Sequence, residues 1–465
     1  MAGAMPVALA LAPPRGKVRQ ERGVTKVVER KCRFQSRGEF RDANPGFGIS
    51  LERDSHFLAE KRRRTARTQA GRAGILAKTR RPALSVTPRM STKPIWIVAA
   101  KRTPQGRFLG GLAKQSAVDL GVAAAKGALA GIDPSSIDSV IVGNVLSAGL
   151  GMNVARQIAL GAGLPVGIPA YTVNMMCASG MQAVILATQA IRSGAACMVL
   201  CGGTESMSNA PHLLNRSRTG YKLGDGVLID SLLRDGLTDA FSDEHMGVTA
   251  ERLADLYKIS REAQDRFAAR SQQRYAAALA AGQFRNEIVP VEKLMADEHP
   301  RADTTAATLG TLKPAFGASG TVTAGNSSGI NDGAAMLVLC EEERGREFGL
   351  EPMMVITDSV SVGCEPSLMG LGPVHATRRI SRDPSEFDMI ELNEAFAAQS
   401  LACMEELELA EEAVNIDGGA IALGHPIGAS GARLLVHLAH RRPRRGLATL
   451  CVGGGMGCAM VVQRP

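Results

Sequence analysis

Residues 173–183 read VNMMCASGMQA, and they place one cysteine, Cys177, between an apolar segment and three small residues. The segment 169–176 is typical of a β-strand, and the pattern over 178–194 is typical of a buried helix. The stretch therefore predicts a tight strand-to-helix turn that carries a thiol. Because cysteine is among the most buried residue types, an inert core thiol is the alternative to a reactive one.

The same turn recurs in the second half of the chain. The tripeptide ASG occurs at 178–180 and at 429–431, and a GG pair follows each copy at the same separation, at 202–203 and at 453–454. The strand segments DSVIVGN and DMIELN begin at Asp138 and Asp388, at nearly equal separations before their ASG. Two matched spacings in one element order indicate a duplicated βα unit. Since the counterpart of Cys177 is Gly428, the fold itself does not require a thiol at this turn.

Strand and helix patterns alternate from Ile95 onwards, which predicts an α/β protein with a mostly parallel sheet buried on both faces. Residues 207–330 carry more charge and break this alternation, and their clearest helix is predicted between an N-cap at Ser260 and Gly282. We expect 90–206 with 331–351 to form a first half, 207–330 an inserted loop domain, and 352–465 a second half.

The net charge of +9 comes from one end of the chain. Residues 1–89 hold 21 Lys and Arg against 7 Asp and Glu, whereas the segment 90–465 has a net charge of −5. The mildly acidic body gives no reason to expect nucleic acid as a partner. We expect 1–89 to be a disordered extension. A transit segment, a nucleic-acid-binding arm, a solvated tail and a start site assigned ahead of Met90 remain open.

The composition also limits which cellular compartment and which cofactors can be expected. The nine cysteines are dispersed, without a CxxC pair or a His/Cys cluster at zinc spacing, which favours a reducing compartment and predicts no metal site. Residues 158–191 lack formal charge, but prolines and glycines interrupt them, so a buried core is favoured over a membrane span. A cytoplasmic location is predicted, with the mitochondrion as the alternative if 1–89 act as a transit segment.

Four side chains at predicted strand ends and turns are candidates for chemistry. The N-terminus of a helix lowers the pKa of a thiol, which would make Cys177 a nucleophile. A nucleophilic cysteine needs a base, and His425 precedes the second turn, which meets the first if the halves pack about a pseudo-twofold axis. Cys451 precedes three glycines whose N–H groups could hold an oxyanion. Asn393 either holds a water or caps the next helix. A packed loop histidine and a core cysteine are the alternatives for His425 and Cys451.

Seven motifs then point to one family: NMMCASGMQA, GGTESMSNAP, HMGVTAE, TVTAGNSSGINDGAA, ELNEAFAAQ, NIDGGAIALGHPIGASGAR and LATLCVGGGMG. From about Pro94 to Gln463 the chain resembles the thiolase family, and its acetyl-CoA acetyltransferase branch most of all. The resemblance implies a five-layer αβαβα fold of two duplicated half-domains. It also implies coenzyme A thioesters as substrates, no metal or nicotinamide cofactor, and a homo-oligomer, either a dimer or a tetramer.

The resemblance implies a role for each candidate. Cys177 matches the nucleophile that carries the acyl group, His425 its activating base, and Cys451 a second acid/base that moves the α-proton of acetyl-CoA. Asn393 matches a residue that holds an oxyanion-hole water, and the backbone N–H groups of Cys177 and Gly453 match a second oxyanion hole. The implied substrate and coenzyme A contacts are Leu237, His245, Met246, Arg301, Phe316, Ser328, Met369 and Phe396.

The predicted reaction is the reversible Claisen condensation of two acetyl-CoA to acetoacetyl-CoA and coenzyme A. A degradative 3-ketoacyl-CoA thiolase for longer chains is the alternative, although His245, Met246 and Met369 would narrow the acyl pocket and favour short chains. A ketoacyl synthase would share the duplicated fold but normally has histidine in place of Cys451. From another class, a nucleic-acid-binding protein would rest on the basic segment 1–89 alone.

Overall fold

The computed structural model describes residues 94–465, so the predictions made for 1–89 lie outside the described residues. The strands in this part of the chain are β1 Ile95–Arg102, β2 Gly106–Arg107, β3 Ser139–Gly143, β4 Ala170–Val173, β5 Met198–Ser206, β6 His212–Leu214, β7 Leu228–Asp230, β8 Asn331–Glu341, β9 Met354–Gly363, β10 Met389–Leu392, β11 Arg445–Val452 and β12 Met456–Gln463. The α-helices are α1 Ala117–Ala128, α2 Val154–Gly161, α3 Ser179–Arg192, α4 Met246–Tyr257, α5 Arg261–Ala280, α6 Ala306–Gly310, α7 Glu342–Glu347, α8 Gly372–Ile380, α9 Ala397–Leu407, α10 Ala420–Leu423 and α11 Ile427–Arg441.

The sheet repeats one strand order twice. The hydrogen-bonded order is β10-β11-β12-β9-β1-β8-β5-β3-β4, with β2 paired to β8. The run β10-β11-β12-β9 therefore mirrors β3-β5-β8-β1, and the short antiparallel pairing of residues 95–97 with 354–356 joins the two halves. The counterpart of β4 is reduced to a single bridge between Ile390 and Val414. This order confirms the duplication that was predicted from the ASG repeat.

Alternating side chains divide the molecule into five layers. Leu337 and Leu339 of β8 join the central core, which contains α3 and α11 and side chains from both half-sheets. The residues that alternate with them along the strand, Met336 and Val338, face a second core beneath α1 and α2. Residues of β12 alternate in the same way between the central core and a third core beneath α8 and α9. The predicted αβαβα architecture is confirmed, with α3 and α11 as its middle layer.

The prediction of a mostly parallel sheet is wrong. Only β3–β4, β3–β5 and β10–β11 pair in parallel within the described sheet, and its other strand pairings are antiparallel. The cause is local at β12, which follows β11 through a turn of three glycines, residues 453–455, and must return antiparallel to it. A sequence interpreted as alternating strands and helices predicts helical crossovers between parallel strands, and it does not reveal strands such as β12 that turn back antiparallel to the preceding strand.

Glycines let the two middle helices meet at their N-terminal turns. A Cβ atom on Gly180 would lie 2.9 Å from the backbone nitrogen of Ala432, and one on Gly431 would lie 2.8 Å from that of Met181. The two contacts are related by the repeat, since Ala432 is the counterpart of Met181. The ASG tripeptides therefore mark a pseudo-twofold axis at which two helix N-termini approach backbone to backbone.

Residues 207–330 form the connection between β5 and β8. It holds the β6–β7 ribbon, a π-helix at Leu232–Leu237, and helices α4, α5 and α6. The hydroxyl of Ser260 accepts a hydrogen bond from the Ala263 N–H, so the predicted N-cap of α5 is confirmed. The connection also contacts the second half, where Ala397 N–H donates to Asn326 O and Ser328 N–H to Ala395 O.

Candidate active site

A cavity of about 490 Å³ lies beside the paired turns. Among the residues predicted for the site, Cys177, His425, Cys451 and Gly453 line it, and Asn393 does not. All of the predicted substrate and coenzyme A contacts line it as well, namely Leu237, His245, Met246, Arg301, Phe316, Ser328, Met369 and Phe396. Segments that are far apart in the sequence therefore converge on one space, and they come from both halves and from the connection between them.

The turn that carries Cys177 is held by its own helix. After β4 ends, Met176 adopts a φ of 46°, in the left-handed region that a non-glycine residue rarely occupies. The hydroxyl of Ser179, the first residue of α3, accepts a hydrogen bond from the Met175 N–H at 2.9 Å and donates one to Met176 O at 2.7 Å. These two bonds fix the backbone on either side of the strained residue and so fix the direction of the thiol that follows.

Burial dominates the acidity of this thiol. Burial raises the pKa of Cys177 to about 11, while the backbone N–H groups of Gly453 and of Cys177 itself act in the opposite direction and the charge of Glu205 adds to the rise. The expectation that the helix N-terminus lowers this pKa is therefore wrong, because the loss of solvation outweighs it. The same two N–H groups lie close enough to act on the sulfur, so they are also near the place where the oxyanion of a Cys177 adduct would form.

His425 presents one free nitrogen. Its backbone N–H donates to Asn331 Oδ1 at 3.0 Å, and its ring Nδ1 lies 2.6 Å from Ser430 Oγ. The buried Nε2 atom has no hydrogen-bond partner within residues 94–465. Burial, helped by the charge of Arg433, lowers the pKa of His425 to about 4. At neutral pH the ring is therefore an uncharged imidazole, the state in which it can accept a proton.

Cys451 is a buried thiol at the end of a strand. It lies in β11, two residues before the glycine turn, and is 1% exposed. Burial raises its pKa well above the ordinary value, and the nearby Cys177 and Cys403 thiols add to the rise. Cys451 is thus protonated at rest, which suits a group that first donates a proton and only afterwards accepts one.

Asn393 directly follows β10 and is buried with an unsatisfied side chain. Its backbone N–H donates to Thr449 O at 3.0 Å, but neither Nδ2 nor Oδ1 has a partner in the described part of the chain. The helix that follows has its N-cap at Phe396 and no side-chain cap, so the capping interpretation of Asn393 is wrong. A wholly buried, unpaired amide is costly unless a bound polar molecule completes it.

Aromatic and thioether side chains build one wall of the cavity. The His245 ring stacks on Phe316 with centroids 4.7 Å apart, and Phe396 meets Phe316 edge to face at 6.1 Å. Met246, Met369 and Phe396 form one apolar cluster with Cys451. The wall therefore lies against the predicted acid/base, where the acyl part of a thioester would have to sit.

Sequence reasoning missed several residues of the lining, including Arg107, Phe108 and His299. His299 follows Glu298, whose carboxylate accepts hydrogen bonds from the N–H groups of Arg107 and Gly111. Burial lowers the pKa of His299 to about 4, and the charge of Arg301 adds to this effect. The position of His299 two residues before Arg301 was an available signal, whereas Arg107 and Phe108 are brought in only by the tertiary fold.

Glu205 was also not identified from the sequence. Its carboxylate accepts hydrogen bonds from the N–H groups of Val145, Leu146 and Gly428 and from Asn144 Nδ2, at 2.8–3.1 Å. Burial raises its pKa to about 7 against the effect of those donors. This one side chain therefore holds the residues that follow β3 against the second turn.

Between 94 and 465 there is no group of three or more His, Cys, Asp or Glu side chains arranged to hold a metal ion. Over the same range, none of the helices is both long and apolar enough to cross a membrane.

Comparison with known proteins agrees with this fold. Residues 95–343 match the family model "Thiolase, N-terminal domain" and 350–464 match "Thiolase, C-terminal domain". The chain is 51% identical to the acetyl-CoA acetyltransferase of Chromobacterium violaceum over 388 residues, which is 79% of this chain and 99% of the relative.

Solved structures extend the likeness. Human mitochondrial 3-ketoacyl-CoA thiolase in complex with CoA is 42% identical with a TM-score of 0.78, over 80% of this chain and 98% of the other. The acetyl-CoA acetyltransferase of Bacillus anthracis is 40% identical with a TM-score of 0.77, over 80% and 99%. On two family domains that together span most of the described residues, and on relatives matched along almost their whole length, the chain belongs to the thiolase family.

Proposed function

We propose that the protein catalyses the reversible condensation of two acetyl-CoA to acetoacetyl-CoA and coenzyme A, through an S-acetyl intermediate on Cys177. The observation that carries the proposal is the convergence of Cys177, His425 and Cys451 on one cavity. The relatives named acetyl-CoA acetyltransferase support the same substrate class. The 3-ketoacyl-CoA thiolase structure keeps longer 3-ketoacyl chains as the second candidate.

A neutral His425 and protonated Cys177 and Cys451 thiols are the states that thiolysis requires at its start. His425 Nε2 accepts the proton of Cys177 while the sulfur attacks the 3-keto carbonyl of acetoacetyl-CoA. The oxyanion is held by the N–H groups of Cys177 and Gly453. Cleavage of the C2–C3 bond leaves an acetyl group on Cys177 and a carbanion on acetyl-CoA, which takes the proton of Cys451.

The second half of the reaction restores both groups. Coenzyme A enters, its thiol proton passes to the Cys451 thiolate, and the coenzyme A sulfur attacks the acetyl carbon. Cys177 leaves as a thiolate and recovers its proton from His425. The thioester oxygen that becomes an enolate in the first half needs donors of its own, and a water held by Asn393 supplies them in the proposed scheme. Condensation is the reverse sequence.

We also propose a domain division, an oligomeric state and a cellular location for the protein. We assign 90–206 with 331–351 to the first half, 207–330 to the inserted loop domain and 352–465 to the second half. The β6–β7 ribbon and its surroundings expose several large apolar side chains, among them Leu223, Val227, Leu228 and Phe241. An apolar surface of this kind supports a homo-oligomer, and light scattering would distinguish a dimer from a tetramer. We place the protein in the cytoplasm, with the mitochondrion as the alternative.

A thiolysis assay tests the reaction. Acetoacetyl-CoA should be cleaved faster than a C8–C16 series of 3-ketoacyl-CoA, with Cys177→Ser as the inactive control. Faster cleavage of the long substrates would replace the proposal with the degradative reaction. Absence of cleavage across the whole series would reject thiolase activity for this chain.

A further inference from the structure

We propose that Ser430 is a positioning residue that fixes the tautomer of His425, so that Nδ1 carries the proton and Nε2 presents its lone pair to the cavity. The inference deepens the proposed function, since it rests on His425 acting as the base for Cys177. Nothing in the sequence motifs assigns this serine a role, because it lies inside the ASG repeat that the fold requires.

The two hydrogen bonds of the Ser430 hydroxyl determine which atom of His425 carries the proton. Its Oγ lies 2.6 Å from His425 Nδ1 and 2.8 Å from Pro426 O. A hydroxyl has one hydrogen and a carbonyl oxygen can only accept, so the hydroxyl that donates to Pro426 must accept from the ring. Nδ1 then carries the proton, and Nε2 is left with the lone pair.

The duplicated turn provides an independent reference. Ser179 is the counterpart of Ser430, and there the roles are unambiguous, because its hydroxyl accepts from the Met175 N–H and donates to Met176 O. Ser430 keeps this pattern of one N–H received and one carbonyl bonded, with the ring of His425 in place of a backbone N–H. One serine therefore fixes the loop that carries the nucleophile, and its copy fixes the base.

The opposite tautomer would be costly in this site. It would place a proton on Nε2, which is buried and has no acceptor among the described residues. An unsatisfied buried donor costs about 1–3 kcal/mol. It would also leave the lone pair on Nδ1, where it cannot reach the cavity. The contact with Ser430 therefore selects the one neutral form of His425 that can take the proton of Cys177.

The test reads the tautomer directly. Protein labelled with [15N]histidine is compared as wild type, Ser430→Ala, Ser430→Thr and Ser179→Ala at pH 7, with the His425 signals assigned by their loss in His425→Asn. Wild type and Ser179→Ala should show a protonated Nδ1 and an unprotonated Nε2. Ser430→Ala should lose this pattern, and Ser430→Thr should keep it. A protonated Nε2 in wild type, or an unchanged pattern in Ser430→Ala, would overturn the proposal.

Kinetics give the functional consequence. Ser430→Ala should lower the rate of Cys177 acetylation in a single turnover by about tenfold or more, with little change in KM, because general-base catalysis is typically worth about 10²–10⁴. Ser430→Thr should recover most of the rate, and a folded Ser430→Thr that behaves like Ser430→Ala would also overturn the proposal. If wild type lacks thiolysis, the proposed function fails, whereas the tautomer measurement still decides the role of Ser430.

Discussion

The two strand-to-helix turns are copies of one repeat, but only the first has space for a side chain at the position of Cys177 and Gly428. At the first turn the side chain of Cys177 lines the cavity. At the second turn a Cβ atom on Gly428 would lie 2.7 Å from both Glu205 Oε2 and Thr204 O, and its N–H already donates to Glu205. A side chain is accepted at one turn and excluded at its copy.

This difference shows how duplication produces an asymmetric site. The pseudo-twofold axis brings two helix N-termini together, but a catalytic site needs one nucleophile and one base, not two of either. Glu205 fills the space at the second turn, so chemistry there comes from His425, which lies three residues before Gly428 and ahead of the first residue of α11. Its counterpart in the first copy is Asn174, which is exposed and does not line the cavity.

The largest expected effect tests the thiol that only the first turn carries. Cys177→Ser should abolish the acetyl adduct on mixing with acetyl-CoA, because a serine hydroxyl is far harder to ionise than a thiol. Intact-mass analysis measures the adduct, with Cys197→Ser, an exposed cysteine outside the cavity, as the control. An adduct that persists in Cys177→Ser would show that another residue is the nucleophile.

The second prediction separates Cys177 from Cys451. The counterpart of Cys451 in the first copy is the buried Leu200, so the repeat does not demand a thiol at this strand position either. Cys451→Ala should still acetylate at Cys177, yet it should neither condense two acetyl groups nor exchange the α-protons of acetyl-CoA with deuterated solvent. Normal deuterium exchange in this variant would contradict the division of roles.

How far the sequence predicts this site can be judged residue by residue. The ASG repeat predicts that Cys177 and His425 meet, because the spacing alone defines the two turns. It does not predict the raised pKa of Cys177, since the effect of a helix N-terminus is local whereas burial depends on residues such as Leu232 and Ile427, which only the fold brings near Cys177. Glu205 is likewise invisible in the sequence, because its partners Leu146 and Gly428 are distant along the chain on either side of it.

The third prediction concerns the protonation states of Cys177 and His425. With the pKa of Cys177 near 11 and that of His425 near 4, both groups are neutral at pH 7. Alkylation of Cys177 by iodoacetamide should therefore rise about tenfold per pH unit between pH 7 and 10, since the thiolate fraction grows in that proportion below the pKa. Peptide mass spectrometry follows the site. A rate that is already level from pH 6 to 8 would indicate a preformed thiolate–imidazolium pair.

The fourth prediction asks whether the second turn tolerates any side chain. Gly428→Ala should destabilise the fold by about 1–3 kcal/mol, because its methyl group meets a fixed carboxylate and a backbone carbonyl. The control is Gly167→Ala, where a Cβ has nothing within 4 Å and the backbone is not left-handed, so its cost should be near zero. Urea denaturation compares the two, and equal stabilities would remove the steric reason for the asymmetry.

The smallest expected effect concerns the apolar wall of the cavity, to which neither turn contributes a residue. Met369 is 3% exposed and packs with Met246, Phe396 and Cys451. Shortening it should open space for a longer acyl chain, and each buried methylene is worth about 0.8 kcal/mol, or about fourfold in a binding constant. Met369→Ala should therefore raise kcat/KM for 3-ketohexanoyl-CoA relative to acetoacetyl-CoA by several-fold.

A matched truncation separates pocket volume from loss of stability. Met404 is also buried, but it lies in the outer core beneath α8 and α9 and does not line the cavity. Both Met→Ala changes remove the same atoms from a packed core and should cost about 2–5 kcal/mol. Only Met369→Ala should change the substrate ratio. If Met404→Ala shifts the ratio equally, the effect is a general loosening of the fold, and Met369 does not set the length of the acyl chain.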